Sequence, residues 1–287
     1  MSALSLQEEI EMKETLSYQA YLKSPYKSIK HSTYFEVYDD LFSRYRGKEI
    51  TFVEIGVLGG GSLFMWREFL GPQARIIGVD MNPNAKKWES EGFEIFIGNQ
   101  SDEQFWQDFK NQVGRADVIL DDGGHTFEQQ IVTTEMLLDI INDNGMLVVE
   151  DTHTSYMDGF GYRRFSFLEY VKRFIDKINQ RYSQFDKTAA DHRVWSIQTY
   201  ESFVAFHINR KASNIISERT DNGGEYDSAE GYRYSDNAAL KSMDALVRKL
   251  NFLKYIPGIK WLDAKVRSYF IVKKSKSRLK KYFSSDR

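Results

Sequence analysis

Acidic residues end three apolar runs of this chain: Phe52-Val-Glu54-Ile-Gly56, Val118-Ile-Leu-Asp121-Asp122-Gly-Gly-His125 and Leu147-Val-Val-Glu150-Asp151. Carboxylates gathered at one place must bind a cation or share protons, because like charges a few ångströms apart do not all stay ionised unaided. Hard oxygen ligands in a chain without cysteine favour Mg²⁺, Ca²⁺ or Mn²⁺, and the expected ligands are Asp122, Glu150 and Asp151. His125, three residues after Asp122, is a candidate general base, since imidazole titrates near physiological pH. Each residue alone also has a purely structural reading. Asp-Asp-Gly-Gly is a good turn, Asp121 suits the cap of that turn or the face of a cofactor, and Glu150-Asp151-Thr152 can cap a helix.

The first acid leads into Gly56-Val-Leu-Gly59-Gly60-Gly61-Ser62, a glycine-rich turn between an apolar strand and a helix. Glycines there let the backbone approach a nucleoside, and the helix N-terminus offers free N–H groups. The spacing is neither Gly-x-Gly-x-x-Gly nor a phosphate-gripping Gly-Lys-Ser/Thr. Asp80, 24 residues after Gly56, is placed to accept both ribose hydroxyls. A carboxylate at Glu54 would repel a pyrophosphate but suit an ammonium or sulfonium, which favours S-adenosylmethionine (SAM) over a dinucleotide. The plain alternative is a tight strand–helix turn with no ligand.

These residues must be positioned by a scaffold, and the hydrophobic pattern supplies one. Apolar runs at 50–57, 75–80, 94–97, 117–121 and 146–150 alternate with helical segments at 62–70, 102–111 and 128–141, the first opened by Ser62 as N-cap. Alternation of this kind predicts an α/β fold: a Rossmann-like, doubly wound, mostly parallel seven-stranded sheet closed by an antiparallel hairpin at 194–200 and 203–208. Helices are expected at 6–22, 33–45 and 165–182, and across 240–283 with a break at Pro257-Gly258. The organisation that follows is an N-terminal helical segment (1–46), a catalytic domain (47–210), a flexible loop (211–239) and a basic helical extension (240–287).

With 287 residues, 41% of them hydrophobic and 15% aromatic, the chain can bury a large core. It has no apolar run of about eighteen residues and no signal-peptide layout, and the absence of cysteine fits a cytosolic protein. The net charge of −2 conceals 14 Lys/Arg against 3 Asp/Glu after residue 239. Basic charge confined to a tail argues against a nucleic-acid binder. That tail interleaves apolar and basic residues, so it suits a partner, a second copy in a homo-oligomer, or the inner face of an anionic membrane.

Taken in order, Phe52-Val-Glu-Ile-Gly-Val-Leu-Gly-Gly-Gly-Ser62, Ile97-Gly-Asn-Gln-Ser-Asp102, Ile119-Leu-Asp-Asp-Gly-Gly-His125 and Val149-Glu-Asp-Thr-His-Thr-Ser-Tyr156 resemble class I SAM-dependent methyltransferases. The resemblance is to the metal-dependent sugar O-methyltransferases of macrolide biosynthesis and their relatives in polysaccharide clusters. Lys30-His-Ser-Thr-Tyr34-Phe35 and Tyr200-Glu-Ser-Phe-Val-Ala-Phe206 fit its two ends. It implies metal ligands at Asp122, Glu150 and Asp151 and a base at His125. SAM contacts are implied at Glu54 and Gly56, at Asp80 through the ribose, and near Ser101 and Asp102 through the adenine, with a sugar or glycan as acceptor. The extension after Arg210 has no counterpart in it.

Two other classes remain open from the residues alone. Asp122, His125 and His153 could form a two-His-one-carboxylate iron site, as in an Fe(II)-dependent hydroxylase, although Glu150 and Asp151 then have no role. A non-catalytic SAM-binding scaffold would use the basic tail. Liposome sedimentation of the full chain against one ending at Asn237 tests the tail: retention only of the full chain marks a membrane-binding segment.

Overall fold

The computed structural model describes residues 14–182, 185, 190–225, 237–249 and 258–283. The first part of the helix expected at 6–22, residues 226–236 of the expected loop and Pro257 of the expected break lie outside them. Two compact units emerge, Met1–Arg219 and Thr220–Arg287.

The first unit opens with α1 (Leu16–Lys23) and α2 (Tyr34–Phe42), then alternates β1 (Thr51–Ile55), α3 (Gly61–Leu70), β2 (Arg75–Asp80), β3 (Glu94–Ile97), α4 (Glu103–Val113), β4 (Ala116–Asp121), α5 (Phe127–Leu137) and β5 (Ile141–Val149). It closes with α6 (Phe167–Asn179), β6 (Val194–Tyr200) and β7 (Phe203–Ile208). The seven strands form one sheet in the order β3-β2-β1-β4-β5-β7-β6. Pairing is parallel from β3 to β5, and β7 runs antiparallel to both β5 and β6. The mostly parallel, doubly wound sheet with a terminal hairpin is the architecture that the apolar alternation predicted.

Both faces of the sheet are covered, so successive strand residues enter different cores. Phe52, Val118, Leu120, Val148 and Phe203 pack with Tyr38 and Phe42 of α2 and with Leu63, Trp66 and Phe69 of α3. Val53, Ile119, Leu147, Val149 and Phe206 pack on the other side with Trp106 and Phe109 of α4 and Phe167 and Phe174 of α6. Period two then assigns the acids. Glu54 follows Phe52, and Glu150 follows Val148, toward α2 and α3; Asp121 follows Ile119 to the opposite face.

Three element boundaries differ from expectation. The helix expected over 6–22 is interrupted at Thr15, which is extended and caps α1. Ser62 is not the N-cap of α3: Gly60, in the left-handed region at φ 81°, holds that place, and the Ser62 hydroxyl donates instead to Glu54 Oε2 at 2.9 Å. The helix expected to run to residue 141 stops at Leu137, passes through a 3₁₀ turn (Leu138–Ile140), and gives way to β5 at Ile141. Ile141 is fully buried and pairs with Ala116 across a register shift, so an apolar residue that fitted helical periodicity is claimed by the start of β5.

The second unit contains α7 (Ala238–Lys249) and α8 (Ile259–Phe283). Arg267 joins them, bonding Asp263 one turn away and Asp244 of α7 at 2.6 Å. Among the described residues no helix is long and apolar enough to cross a membrane.

Trp66 joins a cluster of rings from Tyr38, Phe42, Phe52 and Phe69 and donates its indole N–H to Glu54 at 2.9 Å. Trp66→Ala should lower the unfolding free energy by about 3–5 kcal/mol in urea titration; a loss under about 1 kcal/mol would contradict this packing.

Candidate active site

At the carboxyl ends of β1, β2 and β4 lies a cavity of about 470 Å³. The glycine-rich turn forms one wall, and Asp80, Gly98 and Gln100 form another. Asp122, His125 and Asp151 close the third side, and Lys27, Ser28 and Ile29, from the strap between α1 and α2, lie across it. Gly56 is at φ 95°, and a Cβ there would run into the Asp122 carbonyl, so β1 and β4 approach closely only because this residue is glycine. Asp80 holds the turn in place: its Oδ2 accepts from the backbone N–H of Val57 (2.9 Å) and Leu58 (2.8 Å), and its Oδ1 from Asn82 (2.8 Å). Leu58, 83% exposed, is itself left-handed at φ 45°, a conformation fixed by that carboxylate on its N–H.

The carboxylates at the ends of β4 and β5 have partners that the sequence reading did not assign. Lys30, from the strap, donates its ammonium to Asp122 and, at 3.1 Å, to Glu150 Oε1. Tyr38 donates to Glu150 Oε2 at 2.8 Å, and Tyr34 donates to Asp151 Oδ1. Burial alone would lower the Lys30 pKa, but the charges of Asp122 and Glu150 more than reverse this and hold the amine firmly protonated. Burial and the Asp122 charge push Glu150 up, and Lys30 and the Tyr38 hydroxyl pull against them. Tyr34 is raised above the usual phenol range, first by burial and then by its bond to Asp151.

Three ligand atoms remain turned toward each other. Single atoms of Asp122, His125 and Asp151 lie within 4.8 Å of one another, the one such group among the described residues. His125 Nε2 is 3.4 Å from Asp151 Oδ2 and 4.0 Å from Asp122 Oδ1. His125 and Asp151 both have left-handed backbones, at φ 58° and 57°, so sharp turns after β4 and β5 aim their side chains inward. His153 bonds Ser202 Oγ at 2.9 Å and is outside this group, so the iron-site arrangement of Asp122, His125 and His153 is not formed.

Gly56, Asp80, Asp122, His125 and Asp151 thus line the cavity, and five other expected site residues do not, among them Glu150, which lies behind it with Lys30 and Tyr38. Glu54 lies beneath the turn, fully buried, with Ser62 and Trp66 donating to its two oxygens; the strand period sends it toward α3 rather than toward a cofactor. Asp102 caps α4 through the N–H of Gln104 at 2.8 Å, and the Ser101 N–H bonds Asn99 at 2.9 Å. Their neighbour Gln100 reaches the cavity instead, bonding Asp121 at 2.6 Å and accepting from the Gly124 N–H at 3.1 Å. Asp121 caps its turn from below, with Oδ1 on Gln100 and Gly123 and Oδ2 buried without a hydrogen-bond partner. Burial raises its pKa to about 7.

The residues missed by sequence reasoning are Lys30, Tyr34 and Tyr38. A signal was present for the two tyrosines: spaced by four in α2, they put polar tips on a face that also carries Leu41 and Phe42, whereas Lys30 lies in the strap before the helix. Beyond Tyr34 a second cavity, of about 820 Å³, is lined by His31, His153, Tyr156, Tyr200, Glu201 and Ser202, among others.

A doubly wound sheet with a glycine turn, a carboxylate at the end of the second strand and a cavity over both is a Rossmann-like architecture, and residues 53–152 match the family described as "Methyltransferase domain". The proteins it is similar to include several named as O-methyltransferases. The chain is 32% identical over 135 residues to 8-demethyl-8-alpha-L-rhamnosyl tetracenomycin-C 2'-O-methyltransferase of Streptomyces olivaceus, covering 45% of this chain and 35% of that protein. It is 28% identical over 200 residues to mycinamicin VI 2''-O-methyltransferase of Micromonospora griseorubida, covering 65% and 48%. Among solved structures, it is similar to the MycE methyltransferase of mycinamycin biosynthesis in complex with Mg, SAH and mycinamycin VI, with a TM-score of 0.62 and 25% identity over 72% of this chain and 56% of that one. The chain therefore spans only a third to a half of the curated relatives that it matches.

Burial raises the Glu54 pKa to about 7, against the pull of Lys30 and of the Trp66 and Ser62 donors. The folded state then holds a proton that the unfolded chain releases near the ordinary carboxylate value. This contribution is complete at acid pH and is lost as pH rises toward about 7. Between pH 5 and 7, wild type should lose stability relative to Glu54→Gln by up to about 1.4 kcal/mol per pH unit in urea titrations. Parallel profiles for the two proteins would show that Glu54 is ionised throughout.

Proposed function

We propose that this protein is a SAM-dependent O-methyltransferase acting, with help from a divalent cation, on a sugar hydroxyl of a glycan, nucleotide sugar or glycosylated metabolite. The observation that carries this reading is the continuity of the cavity: the turn braced by Asp80 on one side, and Asp122, His125 and Asp151 on the other. The match of residues 53–152 to a methyltransferase domain supports the donor, and the names of the relatives support a sugar-bearing acceptor. A solved relative described with Mg and SAH supports both the cation and the cofactor.

The donor site is the glycine-turn side of the cavity, with the Asp80 carboxylate and Gln100 as its polar groups. SAM bound there would supply an electrophilic methyl on sulfonium. The carboxylates of Asp122 and Asp151, with Glu150 beside them, would hold a divalent cation, and such an ion would acidify a coordinated hydroxyl. Lys30 and Tyr38 each donate to one oxygen of Glu150 and orient it toward the cluster. His125 has the geometry of the base, because Asp151 beside it stabilises the imidazolium formed when the ring takes the hydroxyl proton. Asp122 and Asp151 fix where that hydroxyl sits, and alignment of its oxygen with the methyl carbon supplies much of the acceleration. The second cavity, reached past Tyr34 and His153, offers aromatic faces and polar groups suited to the rest of the acceptor.

Calorimetry should show S-adenosylhomocysteine binding, and a screen of nucleotide sugars and glycosides with Mg²⁺ should reveal methyl transfer. Excess EDTA should stop turnover and added Mg²⁺ restore it; full activity in EDTA would remove the cation from the mechanism. His125→Ala should slow turnover by on the order of 10²–10⁴ while leaving S-adenosylhomocysteine affinity nearly unchanged. Equal losses in both would make His125 structural.

A further inference from the structure

Two sides of the long helix α8 differ in what covers them. Ile259, Asp263, Val266, Arg267 and Phe270 are half-buried and recur every three or four residues, and on that side Arg267 bonds Asp244 of α7. The opposite side carries a second stripe at the same spacing, open to solvent: Trp261, Lys265, Tyr269, Val272, Lys276 and Leu279, continuing to Phe283. Its apolar members are well exposed, Trp261 by 66%, Val272 by 54% and Phe283 by 81%. Charge and rings share this side. Lys265 Nζ is 5.6 Å from the centre of the Trp261 ring, and Lys273 Nζ is 5.9 Å from that of Tyr269. Ile259–Phe283 holds nine Lys/Arg and one acid, Asp263, which Arg267 already bonds at 2.7 Å.

We propose that this side of α8 docks on an anionic phospholipid surface. Trp261, Tyr269, Val272, Leu279 and Phe283 sink below the headgroups, and the lysines between them pair with lipid phosphate. The inference concerns the second unit alone and does not depend on the reaction. Charge complementarity sets the sign of the partner: nine cations against a single, already paired acid need an anionic surface. The apolar side chains set its kind. A nucleic acid would satisfy the lysines and leave Val272, Leu279 and Phe283 in water. Acyl chains take those three up, while the long lysine stems reach back to the headgroups. A second copy of α8 would cover the same apolar groups, but it would draw Lys265 and Lys276 into a seam to which the helix brings no free acid. Interleaved charge also keeps α8 from crossing a bilayer, so the helix rests in the plane of the interface.

The test is sedimentation of the full chain with vesicles of phosphatidylglycerol and phosphatidylcholine in equal parts, and with pure phosphatidylcholine. Wild type should partition onto the anionic vesicles at least about tenfold more strongly than onto the neutral ones. Raising NaCl from about 0.1 M to about 0.5 M should weaken that binding at least about tenfold. The triple variant Lys265→Gln, Lys276→Gln, Lys280→Gln should bind anionic vesicles about a hundredfold more weakly. The triple variant Trp261→Ser, Val272→Ser, Leu279→Ser keeps every charge and should still lose at least about tenfold. Brominated lipid should quench tryptophan fluorescence in wild type, and Trp261→Phe should sediment normally with that quenching largely gone. No sedimentation, equal binding to both kinds of vesicle, or binding that the serine variant retains overturns the proposal. A dimer by light scattering that the serine variant makes monomeric, or retention of a single-stranded RNA oligonucleotide, overturns it when vesicles are not bound. If a triple variant loses helicity by circular dichroism, the salt dependence of wild type and the quenching in Trp261→Phe decide.

Discussion

Asp122, Glu150 and Asp151 meet at the ends of two adjacent strands, and the sheet cannot place them there without compensation. One ammonium and two phenols, all from the N-terminal segment, provide it. A buried ion pair of this kind is weak evidence for added stability, because removing water from each charge costs several kcal/mol. Its value lies in definition. Lys30 donates to two carboxylates at once, and Tyr38 fixes the far oxygen of Glu150, so the cluster has one arrangement rather than several.

The same segment ties donor and acceptor sides together. Consecutive strap residues serve different places: Lys27 to Ile29 line the cavity over the glycine turn, Lys30 enters the acids, and His31 lines the second cavity. Ten residues of irregular chain therefore touch every part of the proposed reaction, and the sheet fixes what they touch. The backbone after β1 can lie this close to β4 only through Gly56, and Asp80 stiffens the loop that follows. Loops carrying function on a rigid support are the usual division of labour in open α/β sheets.

Much of this was legible in the sequence. Apolar runs bounded by acids, glycines and turns marked the strands, and β2, β3, β6 and β7 fall where those runs do. Asp122, His125 and Asp151 converge for a local reason, since each follows directly on a strand end. Glu54 was misjudged because a glycine turn draws attention to its nearest acid, whereas strand alternation sends that acid beneath α3. Asp102 is a helix cap and Gln100, two residues earlier, reaches the cavity; a turn reverses direction within so few residues that sequence distance says little. Lys30 lies 120 residues from Glu150, and no local rule brings them together.

The turn between β6 and β7 gives the assembly a temporal side. The Thr152 N–H donates to the Ser202 carbonyl at 3.1 Å, and His153 bonds the Ser202 hydroxyl, so the loop carrying Asp151 is tethered to one of the last parts of the sheet. The acids thus depend on chain from both extremes of the domain: the strap before β1 and the hairpin after α6. Contacts this distant in sequence form slowly, because a long loop must close before any of them is rewarded. During synthesis, Asp122, Glu150 and Asp151 emerge well before Ser202, and the nascent sheet carries an open edge at β5 until β7 adds to it. That interval is when the chain is most exposed to edge-to-edge pairing with other copies, and it ends with the same hairpin that completes the site.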